Sequence, residues 1–371
     1  MKALVVNALG GGFDLDDIDI AAPIGREVLI DVHASGLCHT DLLFAANNIA
    51  PFPAVFGHEV SGVVAQVGPD VTQFRAGDHV VGSLVQSCGS CARCQSGRSF
   101  HCQHPEATLR RPGEAPRLSR HGAALFQGMG LGGFAERALI HENQLALVPK
   151  DMPFAQAALL GCGVVTGAGA VLNTADVHAG DTVVIFGAGG VGLNAVSGAR
   201  IAGASRIVAI DLQPKRLEAA KQFGATDVID SIRADPVEAV RALLPRGADH
   251  IFDFVGLKVV AEQGLAMLGA GGGLYLVGVA KPEVSLDVNI FDAIGGQKRV
   301  QGVNYGSTNF KTDIPMYAEL YLQGRLNLDD LVSKREKNCI TRRERRVRGA
   351  QERLAEPRRR DFVLNGNSWR G

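Results

Sequence analysis

The stretch "TVVIFGAGGVG" at residues 182–192 constrains the fold most, because an apolar run passes directly into spaced glycines. Gly187, Gly189 and Gly192 form G-x-G-x-x-G between a predicted strand and a predicted helix. In such a turn the first glycine makes the bend, the second admits a pyrophosphate, and the third lets helix and strand pack. The alternative is an ordinary strand–helix turn that binds nothing.

The chain that follows this turn alternates between two kinds of pattern. "RIVAIDL", "HIFDFVG" and "GLYLVGV" are short β-branched runs, and "PKRLEAAKQFGA" is a helical pattern that ends at a glycine. This alternation predicts an α/β domain with a parallel, doubly wound sheet. Asp211 closes the second strand, where a carboxylate binds both ribose hydroxyls and repels a 2′-phosphate. It favours NAD over NADP, unless Asp211 is a simple surface residue.

Residues 1–150 have a different pattern, which is rich in short β-branched runs cut by Gly, Pro and Asp, such as "KALVV", "EVLIDVHASG" and "RALIHENQLALVP". They are too irregular for βαβ units, and we expect a partly closed antiparallel barrel. The Gly/Pro/Arg-rich stretch 103–133 is predicted to be a loop.

Four of the seven cysteines lie within one polar stretch, "SCGSCARCQSGRSFHC". Because disulfides are rare in a reducing cytosol, the cluster favours a metal site. The rival interpretations are a C-x-x-C redox pair and an iron–sulfur site. The spacing C-x₂-C-x₂-C-x₇-C is formed by Cys88, Cys91, Cys94 and Cys102.

Three further donors, Cys38, His58 and Cys162, form a Cys₂His set, which with one open position is a catalytic zinc arrangement. They are far apart in sequence, so their spacing cannot show that they meet. Taken singly, each could be a small buried thiol or a hydrogen-bonded core histidine.

The totals favour a cytoplasmic protein of two domains. The 371 residues carry a formal net charge of zero, which gives no sign of nucleic-acid or membrane-surface binding. No apolar run approaches the ~20 residues of a membrane span, and the N-terminus does not have a secretory signal pattern.

Five motifs occur in a fixed order: "GLCHTDLLF", "GHEVSGVV", the four-cysteine stretch, "GCGVVTG" and "GAGGVG…IDL". Together they resemble the zinc-dependent alcohol dehydrogenases of the medium-chain dehydrogenase/reductase family, over roughly residues 1–334. The resemblance implies a GroES-like β-barrel catalytic domain at 1–163, with a structural-zinc lobe at about 87–103. It also implies an NAD-binding Rossmann domain at 164–304 and a return to the catalytic domain at 305–371.

The resemblance further implies two zinc ions per subunit. The catalytic ion would be held by Cys38, His58 and Cys162, with Glu59 beside it and able to exchange with a ligand. The structural ion would be held by the four clustered cysteines. Asp41 would orient His58 through its second ring nitrogen.

Two residues next to Cys38 have implied roles of their own. Thr40 matches the hydroxyl that touches the alcohol and passes on its proton, and His39 matches a basic residue that contacts the pyrophosphate. Some relatives continue the proton relay with a histidine three positions after Thr40, but this chain has Leu43 there.

The implied cofactor contacts extend through the second domain. Arg216 matches a basic residue near the adenosine ribose, although it could equally be a solvated helix residue. Thr166 matches a residue that packs on the nicotinamide, and Val277 one whose backbone bonds the carboxamide. The full implied set is Gly187, Gly189, Gly190, Val191, Gly192, Asp211, Arg216, Thr166, Val277 and His39.

The implied function is reversible oxidation of primary, including aromatic, alcohols to aldehydes with NAD, by a homodimer or homotetramer. One alternative is a formaldehyde dehydrogenase acting on the S-hydroxymethyl adduct of a thiol. Another is a zinc- and nucleotide-binding protein that has lost turnover through an altered C-terminus.

The last 37 residues, 335–371, have an atypical composition, with twelve Lys/Arg against five Asp/Glu. We expect no regular structure there, because the segment has no helical or strand period and few apolar residues. The family's closing strand and helix are not recognisable in it. Its arginine content is typical of a shifted reading frame in GC-rich DNA.

Overall fold

The computed structural model describes residues 1–337 and 361–365, with side chains through Val332. It divides into two compact units. The first comprises Met1–Cys162 and the described residues from Asn309 onward, and the second is Gly163–Thr308.

The elements are numbered here in chain order. The strands are β1 Lys2–Val6, β2 Phe13–Asp17, β3 Asp19–Ile20, β4 Glu27–Leu37, β5 Ala54–Val55, β6 Glu59–Val67, β7 His79–Gly82, β8 Leu118–Arg120, β9 Ala123–Ala124, β10 Phe126–Gln127, β11 Arg137–His141, β12 Leu145–Leu147, β13 Thr182–Phe186, β14 Arg206–Asp211, β15 Asp227–Asp230, β16 Ala248–Asp253, β17 Leu268–Leu276, β18 Arg299–Gly302, β19 Val332–Lys337 and β20 Asp361–Asn365. The α-helices are α1 His39–Ala46, α2 Ala92–Gln95, α3 Phe154–Leu159, α4 Val165–Gly169, α5 Gly190–Ala202, α6 Pro214–Phe223, α7 Pro236–Leu243, α8 Lys258–Met267, α9 Ile290–Gly295 and α10 Phe310–Leu322.

The second unit is built on one six-stranded sheet of order β15-β14-β13-β16-β17-β18, in which every neighbouring pair is parallel. Counted within the unit, this is the order 3-2-1-4-5-6 of a dinucleotide-binding fold. Val184, Val208 and Ile251 on its three central strands are fully buried or nearly so. The predicted Rossmann sheet is therefore confirmed.

The first unit contains three sheets, which are mostly antiparallel as the sequence predicts. The largest has the order β12-β7-β6-β4-β20-β19, with β11 also paired to β4. A four-stranded sheet has the order β10-β5-β1-β2, and a small one has the order β3-β8-β9. β4 is the central element, because it pairs with β6, β11 and β20.

The sequence suggested that the stretch 103–133 is a loop, but the structure shows short strands within it. It contains β8, β9 and β10, which are only two or three residues long. Strands this short have no readable alternation, and their partners elsewhere in the unit decide their conformation. The run "RALIHENQLALVP" contains two strands, β11 and β12, which are separated by a 3₁₀ turn.

The atypical C-terminal segment also contains strands that were not expected. β19 extends to Lys337, and β20 is antiparallel to it and parallel to the end of β4. Pairing with a neighbouring backbone requires no polar–apolar alternation, so the composition could not reveal these strands. The rest of the predicted irregular tail, 338–360 and 366–371, lies outside the described residues.

One helical stretch, Phe154–Thr174, is long and apolar enough by composition to span a membrane, contrary to the sequence expectation. In its most apolar window, however, 89% is buried inside the protein. This stretch is therefore a core helix.

Candidate metal and nucleotide sites

The first candidate site gathers three donors that the chain delivers from three different elements. Cys38 follows the end of β4 and caps the start of α1, and His58 directly precedes β6. Cys162 lies in a π-helical turn, Leu160–Val164. The two sulfurs and a ring nitrogen of His58 all lie within 4.8 Å of one another. All three residues belong to the first unit, so one compact body supplies the whole set.

The orientation of His58 is fixed by Asp41, whose Oδ1 lies 3.0 Å from His58 Nδ1. Asp41 is itself held in place, because it accepts hydrogen bonds from the backbone amides of Gly57 at 3.0 Å and Cys38 at 3.2 Å. Both side chains are almost fully buried. In the neutral ring the carboxylate therefore keeps the proton on Nδ1 and leaves Nε2 as the nitrogen that can bind a metal.

His58 Nε2 is buried and has no hydrogen-bond partner among the described residues. A buried polar atom without a partner is unfavourable unless a ligand completes it. Two cysteine sulfurs with one imidazole nitrogen match the donors of a catalytic zinc. The residues present therefore fit the metal.

The pKa values of the two thiols of this site are shifted in opposite directions. A hydrogen bond from Cys162 holds the pKa of Cys38 well below its usual value, with a further contribution from His58. The same contact and burial raise the pKa of Cys162 well above its usual value. Burial disfavours the charged form of His58, but Asp41 and Cys38 outweigh it and raise its pKa.

Glu59 lies beside these donors, fully buried, and its charge contributes to the raised pKa of Cys162. Within the described part of the chain, the cluster of donor atoms formed by Cys38, His58 and Cys162 does not include Glu59. Its place depends on Gly36 in β4, where a Cβ would lie only 2.0 Å from Glu59 Oε2. Any side chain at position 36 would displace the carboxylate.

The second cluster contains the sulfurs of Cys88, Cys91, Cys94 and Cys102, all within 4.8 Å of one another. The sulfurs of Cys91 and Cys94 are 3.6 Å apart and those of Cys88 and Cys94 are 3.9 Å apart, and within the described residues none of the four forms a disulfide. Tetrahedral zinc with Zn–S bonds of about 2.3 Å would place its sulfurs about 3.8 Å apart. These four cysteines therefore also fit a zinc ion.

Backbone amides of the lobe point at its sulfurs. Cys88 Sγ accepts from the amide of Cys91 at 3.3 Å, and Cys102 Sγ accepts from the amides of Cys88 and His104 at 3.2 and 3.3 Å. Burial opposes ionisation of Cys88, but amide donors outweigh it and lower its pKa to about 6. Burial raises the pKa of Cys94 to about 12. Backbone amides also lower the pKa of Cys91, so the lobe favours ionisation of Cys88 and Cys91 over that of Cys94.

The nucleotide candidate lies at the turn between β13 and α5. Gly187 has a φ of +88°, which favours glycine, and a Cβ on Gly192 would lie 1.9 Å from the carbonyl oxygen of Gly187. A Cβ on Gly189 would meet nothing within 4 Å, so this position faces open space. Gly187 is thus favoured by its backbone conformation and Gly192 is required by packing, while Gly189 leaves room for a phosphate at the start of α5.

Asp211 ends β14 and is 7% exposed. Its Oδ2 accepts from the amide of Ala188 inside the glycine turn at 2.9 Å, and its Oδ1 accepts from the amide of Gln213. Arg216 Nη1 lies 3.6 Å from the same carboxylate. The carboxylate is therefore fixed against the glycine turn.

The remaining predicted residues are placed as follows. His39 is exposed and Thr40 half-buried in the first turn of α1. Gly190 and Val191, both half-buried, begin α5. In the second unit Thr166 lies in α4, and its buried hydroxyl has no hydrogen-bond partner among the residues that the structure describes. The amide of Val277 donates to the carbonyl oxygen of Asp253.

Sequence reasoning did not identify Gly36 and Gly57 as parts of the metal site. Gly36 makes room for Glu59, and the amide of Gly57 holds Asp41. The available signal was a glycine inside a strand pattern, "HASGL", because such a glycine often marks a close approach. That signal does not name the approaching group.

Two family models match the chain. The alcohol dehydrogenase GroES-like domain matches residues 25–150, and the zinc-binding dehydrogenase domain matches residues 190–319.

Curated relatives support the same family. An NDMA-dependent alcohol dehydrogenase of Amycolatopsis methanolica is 38% identical over 90% of this chain and 92% of its own length. An S-(hydroxymethyl)glutathione dehydrogenase of Synechocystis is 36% identical over 90% and 92%.

Among solved structures, an alcohol dehydrogenase zinc-binding domain protein from Burkholderia ambifaria has a TM-score of 0.86 at 39% identity, covering 90% of this chain and 91% of that one. Benzyl alcohol dehydrogenase from Acinetobacter calcoaceticus has a TM-score of 0.84 at 37% identity, with the same coverage. The chain belongs to the zinc-dependent alcohol dehydrogenases of the medium-chain dehydrogenase/reductase family.

Proposed function

We propose that this zinc alcohol dehydrogenase uses NAD and carries two zinc ions per chain, one catalytic and one structural. The observation that carries the proposal is the buried Cys38–His58–Cys162 cluster, with Nδ1 of His58 held by Asp41 and Nε2 unpartnered. In this scheme 1–163 is the catalytic domain, 164–304 binds NAD, and 305–371 returns to the catalytic domain.

Cys38, His58 and Cys162 would hold the catalytic zinc, which when bound lowers the pKa of an alcohol in its open position. Asp41 orients the imidazole and stabilises its donor tautomer. Glu59 adds a buried negative charge beside the cluster, and in this proposal it tunes the field or exchanges with a ligand. The structural ion would be held by Cys88, Cys91, Cys94 and Cys102.

The alcohol proton needs a path out of the site. Thr40 lies two residues after Cys38 and is half-buried, so we assign its hydroxyl to accept the substrate proton and pass it on. Position 43 is a leucine, so the relay lacks a histidine there and must end in water or another base. The exposed imidazole of His39 would bind the cofactor pyrophosphate.

The preference for NAD over NADP rests on Asp211. Its carboxylate is fixed at the glycine turn, where it would bind the ribose hydroxyls and repel a 2′-phosphate. Arg216, close to that carboxylate, would contact the adenosine ribose. Thr166 would pack on the nicotinamide and the Val277 backbone would bond the carboxamide, while Gly189, Gly190, Val191 and Gly192 would face the phosphates at the start of α5.

The proposed reaction is the reversible oxidation of primary, including aromatic, alcohols to aldehydes by hydride transfer to NAD. The similarity to benzyl alcohol dehydrogenase supports aromatic substrates. A second candidate, oxidation of the S-hydroxymethyl adduct of a thiol, is supported by the similarity to S-(hydroxymethyl)glutathione dehydrogenases.

We also propose that the protein is a cytoplasmic homodimer or homotetramer. β18 is the last strand of its sheet, and the neighbouring helix α9 presents apolar side chains to solvent. Ile290, Phe291 and Ile294 are 74–88% exposed. An unpaired strand edge with adjacent apolar side chains is suited to contact with a second copy.

The test combines metal analysis with an activity panel on the purified full chain. We expect two zinc equivalents, and benzyl alcohol oxidation with NAD at least tenfold faster than with NADP. Formaldehyde is assayed with and without glutathione, since strict dependence on glutathione would select the second candidate. A zinc-loaded protein that binds NADH but reduces no aldehyde would contradict both.

A further inference from the structure

Asp253 is a buried carboxylate for which the proposed mechanism has no use. It ends β16 in the second unit and is 2% exposed. Its Oδ1 accepts hydrogen bonds from the backbone amides of Val255 at 2.7 Å and Gly256 at 3.0 Å. Burial raises the pKa of this carboxyl, and the two amides only partly offset that effect. The contacts of this carboxylate indicate that it stabilises the turn that follows β16.

The turn after Asp253 packs directly against the turn after β17. A Cβ on Gly278 would lie 2.4 Å from the amide nitrogen of Gly256, so the two backbones touch. The carbonyl oxygen of Asp253 also accepts from the amides of Val277 and Gly278, at 2.9 and 2.8 Å. Asp253 thus joins both turns, with its side chain holding one and its backbone holding the other.

The same turn reaches the nucleotide loop. A Cβ on Gly187 would lie 3.1 Å from Cγ2 of Val255 and 3.6 Å from Cβ of Phe254. The amide of Phe254 donates to the carbonyl oxygen of Phe186, the residue before that glycine. The turn held by Asp253 therefore forms a wall beside the first glycine of the G-x-G-x-x-G motif.

We propose that Asp253 is a positioning residue for the dinucleotide. It fixes Val255 against Gly187 and holds Val277 in register, so that the glycine turn and the end of β17 present one prearranged surface. This inference rests on the proposed use of NAD, and it adds a residue that never touches the cofactor. Prearrangement lowers the ordering cost of binding, so its loss appears as weaker affinity.

The experiment measures NADH affinity by fluorescence titration on the zinc-loaded full chain carrying Asp253→Ala. We expect the Kd to rise about tenfold, because the amides of Val255 and Gly256 lose the acceptor that holds the turn in place. KM for NAD should rise by a similar factor while kcat changes less than about twofold. The zinc content should stay unchanged, because all the proposed zinc ligands lie in the first unit.

Three further variants separate positioning from general loss of structure. Asp253→Asn keeps the Oδ1 acceptor and should return the Kd to within about threefold of the parent. Val255→Ala removes the contact with Gly187 and should raise the Kd about threefold without touching Asp253. Asp235→Ala removes the cap of α7, a hydrogen bond of 2.9 Å to the Glu238 amide, and should lower stability at unchanged Kd.

The outcomes are distinct. If Asp253→Ala and Val255→Ala both bind NADH with the parent affinity, the inference is wrong. It is also wrong if Asp253→Asn fails to restore binding while folding normally. If Asp253→Ala fails to fold, the Kd values of Val255→Ala and Asp253→Asn for NADH test the inference instead. A parent protein that does not bind NADH would instead overturn the proposed function, whatever the variants do.

Discussion

The two cysteine-containing clusters of this protein differ in how the chain builds them. The lobe takes four sulfurs from fifteen consecutive residues, and amides of the same segment already point at those sulfurs. The Cys38–His58–Cys162 cluster takes its donors from a strand end, a second strand start and a helical turn. The first can assemble locally, whereas the second needs the whole unit to be folded. We therefore expect the lobe metal to govern stability and the dispersed metal to govern turnover.

The largest expected effect separates the two clusters by activity. Cys162→Ser should reduce kcat/KM for benzyl alcohol by on the order of 10³-fold or more, because a bound metal contributes several kcal/mol to the transition state. Zinc content should fall from two equivalents to one, and the melting temperature should change little. A variant that kept both metal and turnover would show that Cys162 is an inert core thiol.

The matched variant in the lobe is Cys94→Ser. Zinc content should again fall to one, but the unfolding free energy should drop by at least about 3 kcal/mol, since metal binding contributes directly to folding. At about 2–4 °C per kcal/mol, the melting temperature should fall roughly 6–12 °C in a calorimetric scan. Turnover at low temperature should stay within about threefold of the parent. If Cys94→Ser lost turnover but kept its stability, the expectation that the lobe metal governs stability would be wrong.

A third variant tests how the dispersed cluster is held together. Asp41→Asn replaces an acceptor at His58 Nδ1 with a group that can turn a donor toward it, which should lower zinc affinity or activity 10–100-fold. Asp31→Asn is the control, because Asp31 lies in the same unit, on β4, but pairs with the half-exposed Arg137. If the two variants had the same zinc affinity and activity, Asp41 would have no role in holding the metal site.

The smallest effect concerns pH. Burial opposes ionisation of Glu142, but Arg26 and the amides of Thr72 and Gln73 outweigh it and lower its pKa. Its stabilisation is therefore present above the unfolded pKa of about 4.3 and is lost as pH falls through the lower folded value. Glu142→Gln should cost about 1–2 kcal/mol at pH 7 and flatten the stability curve below pH 5, read from urea melts.

The prediction for Glu142 has a control in the same unit. Glu106 is exposed, and no comparable network surrounds its side chain in the described residues. Glu106→Gln should leave both the stability at pH 7 and the slope below pH 5 unchanged. Parallel curves for Glu142→Gln and the parent would show that another group carries the acid dependence.

The parallel sheet was predictable because each of its strands carries its own signal. An apolar run followed by spaced glycines and a helical pattern indicates its local structure directly, and right-handed crossovers restrict the possible strand orders. The antiparallel unit gives no such signal for partners. β8, β9 and β10 are too short to show a period, and β20 pairs with β4 across more than three hundred residues of sequence.

The candidate metal donors were predictable as residue types, but their spacing could not show that they meet, and only the family resemblance implied it. The cysteine cluster at Cys88–Cys102 can be recognised from its spacing. Cys38, His58 and Cys162 become neighbours only through the path of β4, β6 and the helical turn. The supporting residues were least visible. Gly36 acts by lacking a side chain, and Asp253 acts by holding a turn, so neither has a pattern that spacing or composition could report.

The strand that leads to Cys38 is flanked at its last residues by β20, from nearly the end of the chain. During synthesis, therefore, this edge of β4 stays unpaired by β20 until residues 361–365 have been made. A message cut short before Asp361 would release a chain with this edge exposed, ready to pair with other nascent chains. The strand that delivers Cys38 thus gains its last backbone partner long after every proposed metal donor has been synthesised.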